Sequence, residues 1–250
     1  MTLAIIGGTG LTQISDLDIT GQQSLDTPYG KPSADYVFGE MNGKKLIFLA
    51  RHGNPHRIPP HKINYRANIW GLKQLGVTDI VAVAAVGGIA KQMAPGHLAI
   101  PDQIIDYSYG REHTFFADNL EHVNHIDFSE PYSALLRKRI IQAAHNADII
   151  ITASGTYGCT QGPRLETIAE IRRMAQDKCD LVGMTGMPEA ALARELEINY
   201  ANLSVVANWG AGIVPGEITM AEIEKNLQVG MSKAIALIQA ITLLPDLTVV

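Results

Sequence analysis

The sequence has few cysteines and no excess of basic residues, and both shortages exclude particular classes of protein. Its two cysteines, Cys159 and Cys179, argue against a disulfide-built scaffold and favour a reducing compartment. Lysine and arginine number 20 against 25 acidic residues, which gives a net charge of -5. A protein whose main partner is nucleic acid needs a clustered basic surface, so we expect no nucleic-acid partner.

Long apolar runs are missing as well. No run reaches the ~18 residues that a membrane-spanning helix requires. The first residues lack the basic start and long apolar stretch of a signal peptide. We therefore expect a cytoplasmic protein with no membrane partner. Apolar residues make up 46% of the chain, which is enough to build a sizeable core.

What is present is an alternation of apolar strands and amphipathic helices along the whole chain. With no repeat, low-complexity tract or linker, the pattern predicts one α/β domain spanning residues 1–250. Residues 21–43 are polar and rich in turn residues, 107–131 form a long irregular stretch, and 149–157 are predicted as one strand. A loop as long as 107–131 is usually functional or part of an interface.

Polar groups follow two of the predicted strands. The first strand runs into Gly7-Gly8-Thr9-Gly10, a turn whose N–H groups can meet an anion. The alternative is a dinucleotide fingerprint, but Gln13 stands where the third glycine belongs and no long amphipathic helix follows. The strand at 44–50 is followed by Arg51, whose planar fork suits phosphate, and by His52 as a second donor. Chance surface residues at a strand end are the alternative.

Two further patterns bear on chemistry. His52, His56 and His61 lie close in sequence, but their spacing fits no common zinc pattern and no cysteine joins them, so we expect no metal. The stretch from 161 to 167 opens a helix with Thr167 and Glu170 spaced as a capping box. It also carries Arg164 and Glu166, which would lie at the mouth of any pocket there; an ordinary helix start is the alternative.

Five stretches of the chain stand out together: Gly7-Gly-Thr-Gly, Arg51-His-Gly, His61-Lys-Ile-Asn-Tyr-Arg-Ala-Asn-Ile-Trp, Gly162-Pro-Arg-Leu-Glu-Thr and Gly183-Met-Thr-Gly-Met-Pro-Glu. In this order and spacing they resemble the purine nucleoside phosphorylase and methylthioadenosine phosphorylase family. The resemblance covers essentially the whole chain. It implies an α/β fold with a mixed central β-sheet that curls toward a barrel and is flanked by helices. It also implies a homotrimer or a dimer of trimers, with inorganic phosphate as co-substrate and no metal or organic cofactor.

The reaction that this resemblance implies is the phosphate-dependent cleavage of a purine nucleoside in purine salvage. Phosphate attacks C1′ of the sugar through a transition state that resembles an oxocarbenium ion, while the departing base gains negative charge. Catalysis therefore needs an anion cradle, a sugar platform and groups that stabilise the leaving base. By resemblance, the cradle consists of Thr9, Arg51, His52 and Thr185, and Met184 packs against the ribose; an apolar core residue is the alternative for Met184.

Glu166 and Asn208 are, by the same resemblance, the catalytic pair at the base. In the aminopurine-preferring branch, aspartates lie at the positions of Asn208 and Gly210, and a serine lies at Glu166. A 6-oxopurine carries an N1–H that a carboxylate accepts, whereas a 6-aminopurine has a bare N1 that a carboxylate repels. We therefore expect a hypoxanthine-type base, with Leu165, Trp209 and Gly210 as further substrate-binding residues.

The sugar's 5′ end is the remaining choice. Inosine-type enzymes place a histidine in the region of residues 220–223, but no histidine occurs after His145. Met220 and Ile223 match the apolar positions of the methylthio branch instead, although core residues of the last helix are the alternative. His125 matches a position that reaches a neighbouring subunit's 5′ pocket. Where methylthioadenosine enzymes carry a threonine, this chain has Ala84, which removes a phosphate donor.

The preferred substrate expected from these residues is 5′-methylthioinosine, cleaved to hypoxanthine and 5-methylthioribose 1-phosphate. Inosine or guanosine, and methylthioadenosine, are alternatives within the same reaction class. A nucleoside-binding protein without turnover is the alternative outside that class.

Overall fold

A computed structural model describes residues 2–8, 17–118 and 120–245. Within these ranges lie eleven strands: β1 Leu3–Gly7, β2 Asp18–Gln23, β3 Tyr36–Met41, β4 Lys44–Ala50, β5 Asp79–Gly88, β6 Leu98–Ala99, β7 Gln103–Asp106, β8 Ile151–Thr152, β9 Thr156–Cys159, β10 Leu181–Gly183 and β11 Asn199–Trp209. The α-helices are α1 Tyr65–Gln74, α2 Ala134–Asn146, α3 Ile168–Gln176, α4 Gly186–Glu195 and α5 Met220–Leu243, and a short 3-10 helix covers Pro60–Lys62.

Strand β5 is the centre of the sheet. It pairs in parallel with β1 on one side and β11 on the other, and its last residues, Gly87 and Gly88, pair antiparallel with β10. The sheet runs in the order β2-β3-β4-β1-β5-β10-β9-β7, while β11 leads off to β6 and β8. It is therefore a mixed sheet that branches at β5 and stays open, which confirms the expected α/β class.

Helices cover both faces of this sheet. Helices α2 and α5 pack on one side, where Leu136, Ile140, Leu237 and Ile241 are fully buried. Helices α1 and α4 pack on the other side through residues such as Ile69. Because both faces are covered, the inner strands are apolar on both sides, as in β1, whose five residues are all buried.

The helices begin where short polar residues cap them. Thr167 accepts a hydrogen bond from the backbone N–H of Glu170, whose side chain accepts from the backbone N–H of Thr167. The predicted capping box of α3 is thus confirmed. Thr219 likewise caps α5, but Glu222 accepts from the Thr219 hydroxyl rather than from its backbone, so the box there is incomplete.

Two local expectations differ from the structure. The polar segment 21–43 contains β3 and the end of β2, a hairpin at the sheet edge that the turn-rich composition does not indicate. The single strand expected over 149–157 is divided into β8 and β9 at Gly155, which has a φ of +145°. The N–H of Gly155 donates to the side chain of Asp102 instead of to a neighbouring strand. In the described part of the chain, no helix is both long and apolar enough to cross a membrane.

Candidate functional site

A cavity of about 960 Å³ opens where β4, β5, β10 and β11 end. Strand β5 supplies its floor, and α5 supplies one wall. The residues that line it are Gly8, Arg51, His52, His56, Arg57, Ile58, Pro59, Pro60, Val83, Ala84, Ala85, Val86, Gly87, Pro163, Leu165, Glu166, Val182, Gly183, Met184, Thr185, Ala207, Asn208, Met220, Ile223, Leu227 and Met231.

Arg51 is held at the cavity by a buried ion pair. Its Nε donates to Glu189 Oε2 at 2.7 Å, its Nη2 donates to Glu189 Oε1 at 2.8 Å, and its Nη1 donates to Val83 O at 3.0 Å. Both side chains are almost completely buried, and the Tyr200 hydroxyl donates to Glu189 Oε1 as well. Burial alone would lower the pKa of Arg51, but the Glu189 carboxylate raises it above its usual value. The guanidinium is therefore a fixed cation that retains N–H groups for an anion.

His52 offers the cavity an acceptor. Its Nδ1 lies 2.8 Å from the carbonyl oxygen of Ile58, and because a carbonyl only accepts, Nδ1 carries the hydrogen. Burial, and then the charge of Arg51, lower the pKa of His52 to about 4. The ring is thus neutral at pH 7, and its Nε2 has a lone pair. This differs from the second donor expected at this position.

Two glycines allow Met184 and Thr185 to approach the cavity. A Cβ on Gly183 would lie 2.0 Å from the Tyr157 hydroxyl, and Gly162, with a φ of +59°, would bring a Cβ to 2.5 Å from Met184 Sδ. Larger residues at either position would therefore displace the segment. Thr185 precedes α4 but makes no capping hydrogen bond with its side chain, and it lines the cavity instead.

Glu166 and Asn208 are oriented by hydrogen bonds to their neighbours. The Thr160 hydroxyl donates to Glu166 Oε1 at 2.6 Å. Asn208 Nδ2 donates to the carbonyl oxygen of Trp209 at 2.7 Å. Because a carbonyl oxygen only accepts, the NH₂ end of the Asn208 side chain must face it. Asn208 therefore retains one N–H donor and its Oδ1 acceptor, and Glu166 retains Oε2.

Helix α5 presents an apolar face to the cavity. Its lining residues are Met220, Ile223, Leu227 and Met231, which recur at the three- and four-residue spacing of one helix face. Met220 is 65% exposed, so the cavity is open to the surroundings of the chain at this end.

A family model described as the phosphorylase superfamily matches residues 2–242. The chain belongs to the phosphorylase superfamily. A relative from Pseudomonas syringae pv. tomato, named as a probable S-methyl-5′-thioinosine phosphorylase, is 57% identical over 92% of this chain and 94% of its own. The 6-oxopurine nucleoside phosphorylase of Pyrococcus furiosus is 43% identical over 97% of this chain and 93% of its own.

The fold of this phosphorylase is shared with solved structures. Methylthioadenosine phosphorylase from Schistosoma mansoni, in complex with adenine, superposes with a TM-score of 0.91 at 29% identity. The alignment covers 97% of this chain and 91% of that chain. The open mixed sheet flanked by helices is thus the nucleoside phosphorylase fold.

The phosphorylase cavity brings together most of the residues expected at the site. They are Arg51, His52, Leu165, Glu166, Met184, Thr185, Asn208, Met220 and Ile223. Thr9 lies outside the described residues. Trp209 and Gly210 follow Asn208 but do not line the cavity; the Gly210 N–H donates to Gly88 O at 2.8 Å. His125 lies on the exposed irregular stretch and is not one of the residues that line the cavity.

Sequence reasoning gave no role to three residues that hold these groups in place. Glu189 follows a proline at the start of an apolar helix, and an acid in such a setting indicates a buried partner. Arg111 is 9% exposed and donates to the carbonyl oxygens of Thr160, Gln161 and Met184. No local pattern distinguishes Arg111 or Thr160.

Proposed function

We propose that this chain is a phosphate-dependent phosphorylase of 6-oxopurine nucleosides, with 5′-methylthioinosine as its preferred substrate. The products would be hypoxanthine and 5-methylthioribose 1-phosphate, as in purine salvage. The observation that carries the proposal is the combination of groups in one cavity. A single carboxylate and an oriented amide are accompanied there by a fixed cation and an apolar helix face.

The base preference rests on Glu166 and Asn208. Among the described residues that line the cavity, Glu166 alone carries a carboxylate. Its free Oε2 can accept from N1–H of a 6-oxopurine, while Asn208 can donate to O6 and accept from a protonated N7. These hydrogen bonds would strengthen as negative charge builds on the departing base. A 6-aminopurine would leave the carboxylate facing a bare N1, at a cost on the order of 1–3 kcal/mol.

The preference for a methylthio group rests on α5. Met220, Ile223, Leu227 and Met231 give this wall no N–H or O–H donor and no acceptor stronger than a thioether sulfur. A methylthio group can bury its apolar surface there, whereas a 5′-hydroxyl would lose its water without gaining a partner from this helix.

For the phosphate, we propose that Arg51 supplies the charge and Thr185 a hydroxyl. His52 would accept a hydrogen bond from the protonated oxygen of the phosphate, because its own ring hydrogen is committed to Ile58. Inorganic phosphate would thus be the co-substrate, with no organic cofactor. Thr9 belongs to the same proposed cradle by family resemblance.

We also propose that the active form is a homotrimer or a dimer of such trimers, in which His125 of a neighbouring copy closes the 5′ end. The exposure of Met220 at the cavity's open end and the exposed loop carrying His125 support this. Light scattering coupled to gel filtration would give about three or six times 27.1 kDa. A mass of one chain with full activity would contradict the proposal.

The test of the function is phosphate-dependent release of hypoxanthine, measured as kcat/KM for 5′-methylthioinosine and inosine, with methylthioadenosine as a control. We expect methylthioinosine to be preferred. A preference for inosine would contradict the proposal that α5 selects the methylthio group. Turnover of methylthioadenosine alone would contradict the proposal that Glu166 selects a 6-oxopurine. Binding without turnover of any of the three would favour a nucleoside-binding protein.

A matched pair of variants tests the base contact itself. Glu166→Gln removes the charge and should lower kcat/KM for methylthioinosine by about 10- to 150-fold, the range for a hydrogen bond to a charged group. Glu224→Gln makes the same change on an exposed position of α5 and should leave kcat/KM unchanged. Equal effects of the two substitutions would count against a contact between Glu166 and the base.

A further inference from the structure

Thr160 holds Glu166 through a single short hydrogen bond. Its Oγ1 lies 2.6 Å from Glu166 Oε1 and 3.3 Å from the carbonyl oxygen of Gly183. Both of these atoms are acceptors, so the one hydroxyl hydrogen is shared unequally and favours the nearer carboxylate. Among the described residues, Thr160 is the only hydrogen-bond donor that the structure gives Glu166. No second hydrogen bond and no ion pair fixes this carboxylate within the described ranges.

Thr160 is itself firmly placed. It follows directly on β9, it is 9% exposed, and its N–H donates to the carbonyl oxygen of Gly183 at 2.8 Å. Its own carbonyl oxygen accepts from Arg111 Nη2 at 3.0 Å. Glu166, in contrast, lies on the irregular, partly exposed segment that precedes α3. The hydroxyl therefore ties a carboxylate on an irregular segment to a buried strand end that is held by two backbone hydrogen bonds.

A second cavity lies beside Glu166. Both Thr160 and Glu166 line this cavity of about 450 Å³, in which Arg164 and Arg173 lie. Arg164 is paired there with Glu170 and Arg173 with Asp177. Without the hydroxyl, the carboxylate is free to rotate into this second cavity, near these cations, and away from the larger cavity. The Thr160 hydrogen bond opposes that rotation.

We propose that Thr160 is the positioning residue that keeps Glu166 facing the base and so sets the preference for 6-oxopurines. This inference rests on the proposed function, because it assigns Glu166 to the N1–H of the base. Its consequence is specific: loss of the hydroxyl weakens the contact with a 6-oxopurine and at the same time relieves the repulsion of a 6-aminopurine. Arg51 and Thr185, the residues proposed to bind phosphate, are not part of this contact. The affinity for phosphate should therefore stay the same.

The experiment compares Thr160→Val, which keeps the shape and removes the hydroxyl, with Thr160→Ser, which keeps the hydroxyl. We expect the valine variant to lose about tenfold or more in kcat/KM for methylthioinosine, the effect of one hydrogen bond to a charged group. Its preference over methylthioadenosine should shrink and its hypoxanthine affinity should weaken, whereas its KM for phosphate should stay unchanged. The serine variant should behave as the wild type.

A double-mutant cycle separates a positioning role from packing. In the Glu166→Ala background, Thr160→Val should cause little further loss, because the side chain that the hydroxyl positions is already gone. Equal losses in the valine and serine variants, or additive losses in the cycle, would overturn the inference. If the valine variant does not fold, Thr160→Ala takes its place with the same outcomes required.

Failure of the inference and failure of the function give different results. A wild type that prefers methylthioinosine, combined with a valine variant of unchanged selectivity, refutes the role of Thr160 alone. A wild type that turns over only methylthioadenosine refutes the proposed function, and the role of Thr160 fails with it.

Discussion

The buried pair of Arg51 and Glu189 makes a prediction that links stability to phosphate. Replacing Glu189 by glutamine keeps the size of the side chain but removes its charge. Arg51 then remains buried beside an amide whose NH₂ group cannot accept its hydrogen bonds. The substitution therefore leaves an uncompensated cation in the interior.

Removing one partner of a buried ion pair costs about 3–5 kcal/mol. For a chain of roughly this size, each kcal/mol lowers Tm by about 2–4 °C, so Glu189→Gln should lower it by about 6–20 °C. A bound phosphate can partly replace the lost Glu189 carboxylate as a negative partner of Arg51. The variant should therefore gain more in Tm from saturating phosphate than the wild type does.

Calorimetry with and without phosphate measures both effects, with the exposed Glu224→Gln as the control for the chemical change. The double variant Arg51→Met/Glu189→Leu removes both charges and should recover much of the stability while it abolishes turnover. If Glu189→Gln lowers Tm by less than about 2 °C, which corresponds to less than about 1 kcal/mol, the reasoning is refuted. An equal gain from phosphate in both proteins would refute the link to the anion.

Four further predictions concern single side chains. Burial lowers the pKa of His52 to about 4 in the folded chain, from an ordinary value of 6.5, so its contribution to stability is present above pH 6.5 and lost toward pH 4. The pH dependence of unfolding should therefore be flatter for His52→Gln over that window. Arg111→Lys cannot reach its separate carbonyls with one nitrogen, so denaturation should show a loss of stability and kinetics a loss of kcat. Ala84→Ser adds a hydroxyl on the cavity floor and should lower the KM for phosphate by about tenfold. Ile223→His should shift kcat/KM from methylthioinosine toward inosine without changing base preference, and an unchanged ratio would contradict the placement of α5.

The strand ends were the most predictable part of the site. A buried apolar strand that is followed by Arg51, or that ends near Asn208, indicates from local sequence alone a sheet edge where a ligand binds. The structure places both residues on one cavity. The start of α3 was predictable for the same reason, since Thr167 and Glu170 form a box three residues apart. Hairpin β2–β3 was not, because every residue of β2 is exposed and has no alternating apolar pattern.

The residues that hold the site in place could not be read from local pattern. Arg51 and Glu189 are 138 positions apart, and Arg111 and Met184 are 73 apart. Such pairs meet only after the sheet has formed. The sequence around Glu189 indicates a buried partner, but it does not identify that partner as Arg51. The orientation of His52 is a further case, because it depends on the carbonyl oxygen of Ile58 rather than on the histidine itself.

In the proposed function, separate parts of the fold select the base and the 5′ group of the substrate. Glu166 lies before α3 and is held through Thr160 at the end of β9, whereas the apolar wall belongs to α5. No hydrogen bond or ion pair joins Glu166 to α5 among the described residues. Substitutions at the base and at the 5′ end should therefore have additive effects on the free energy of transition-state binding, since sites without shared partners are usually independent. Selection of the base and selection of the 5′ group can then change one at a time on an unchanged phosphate site.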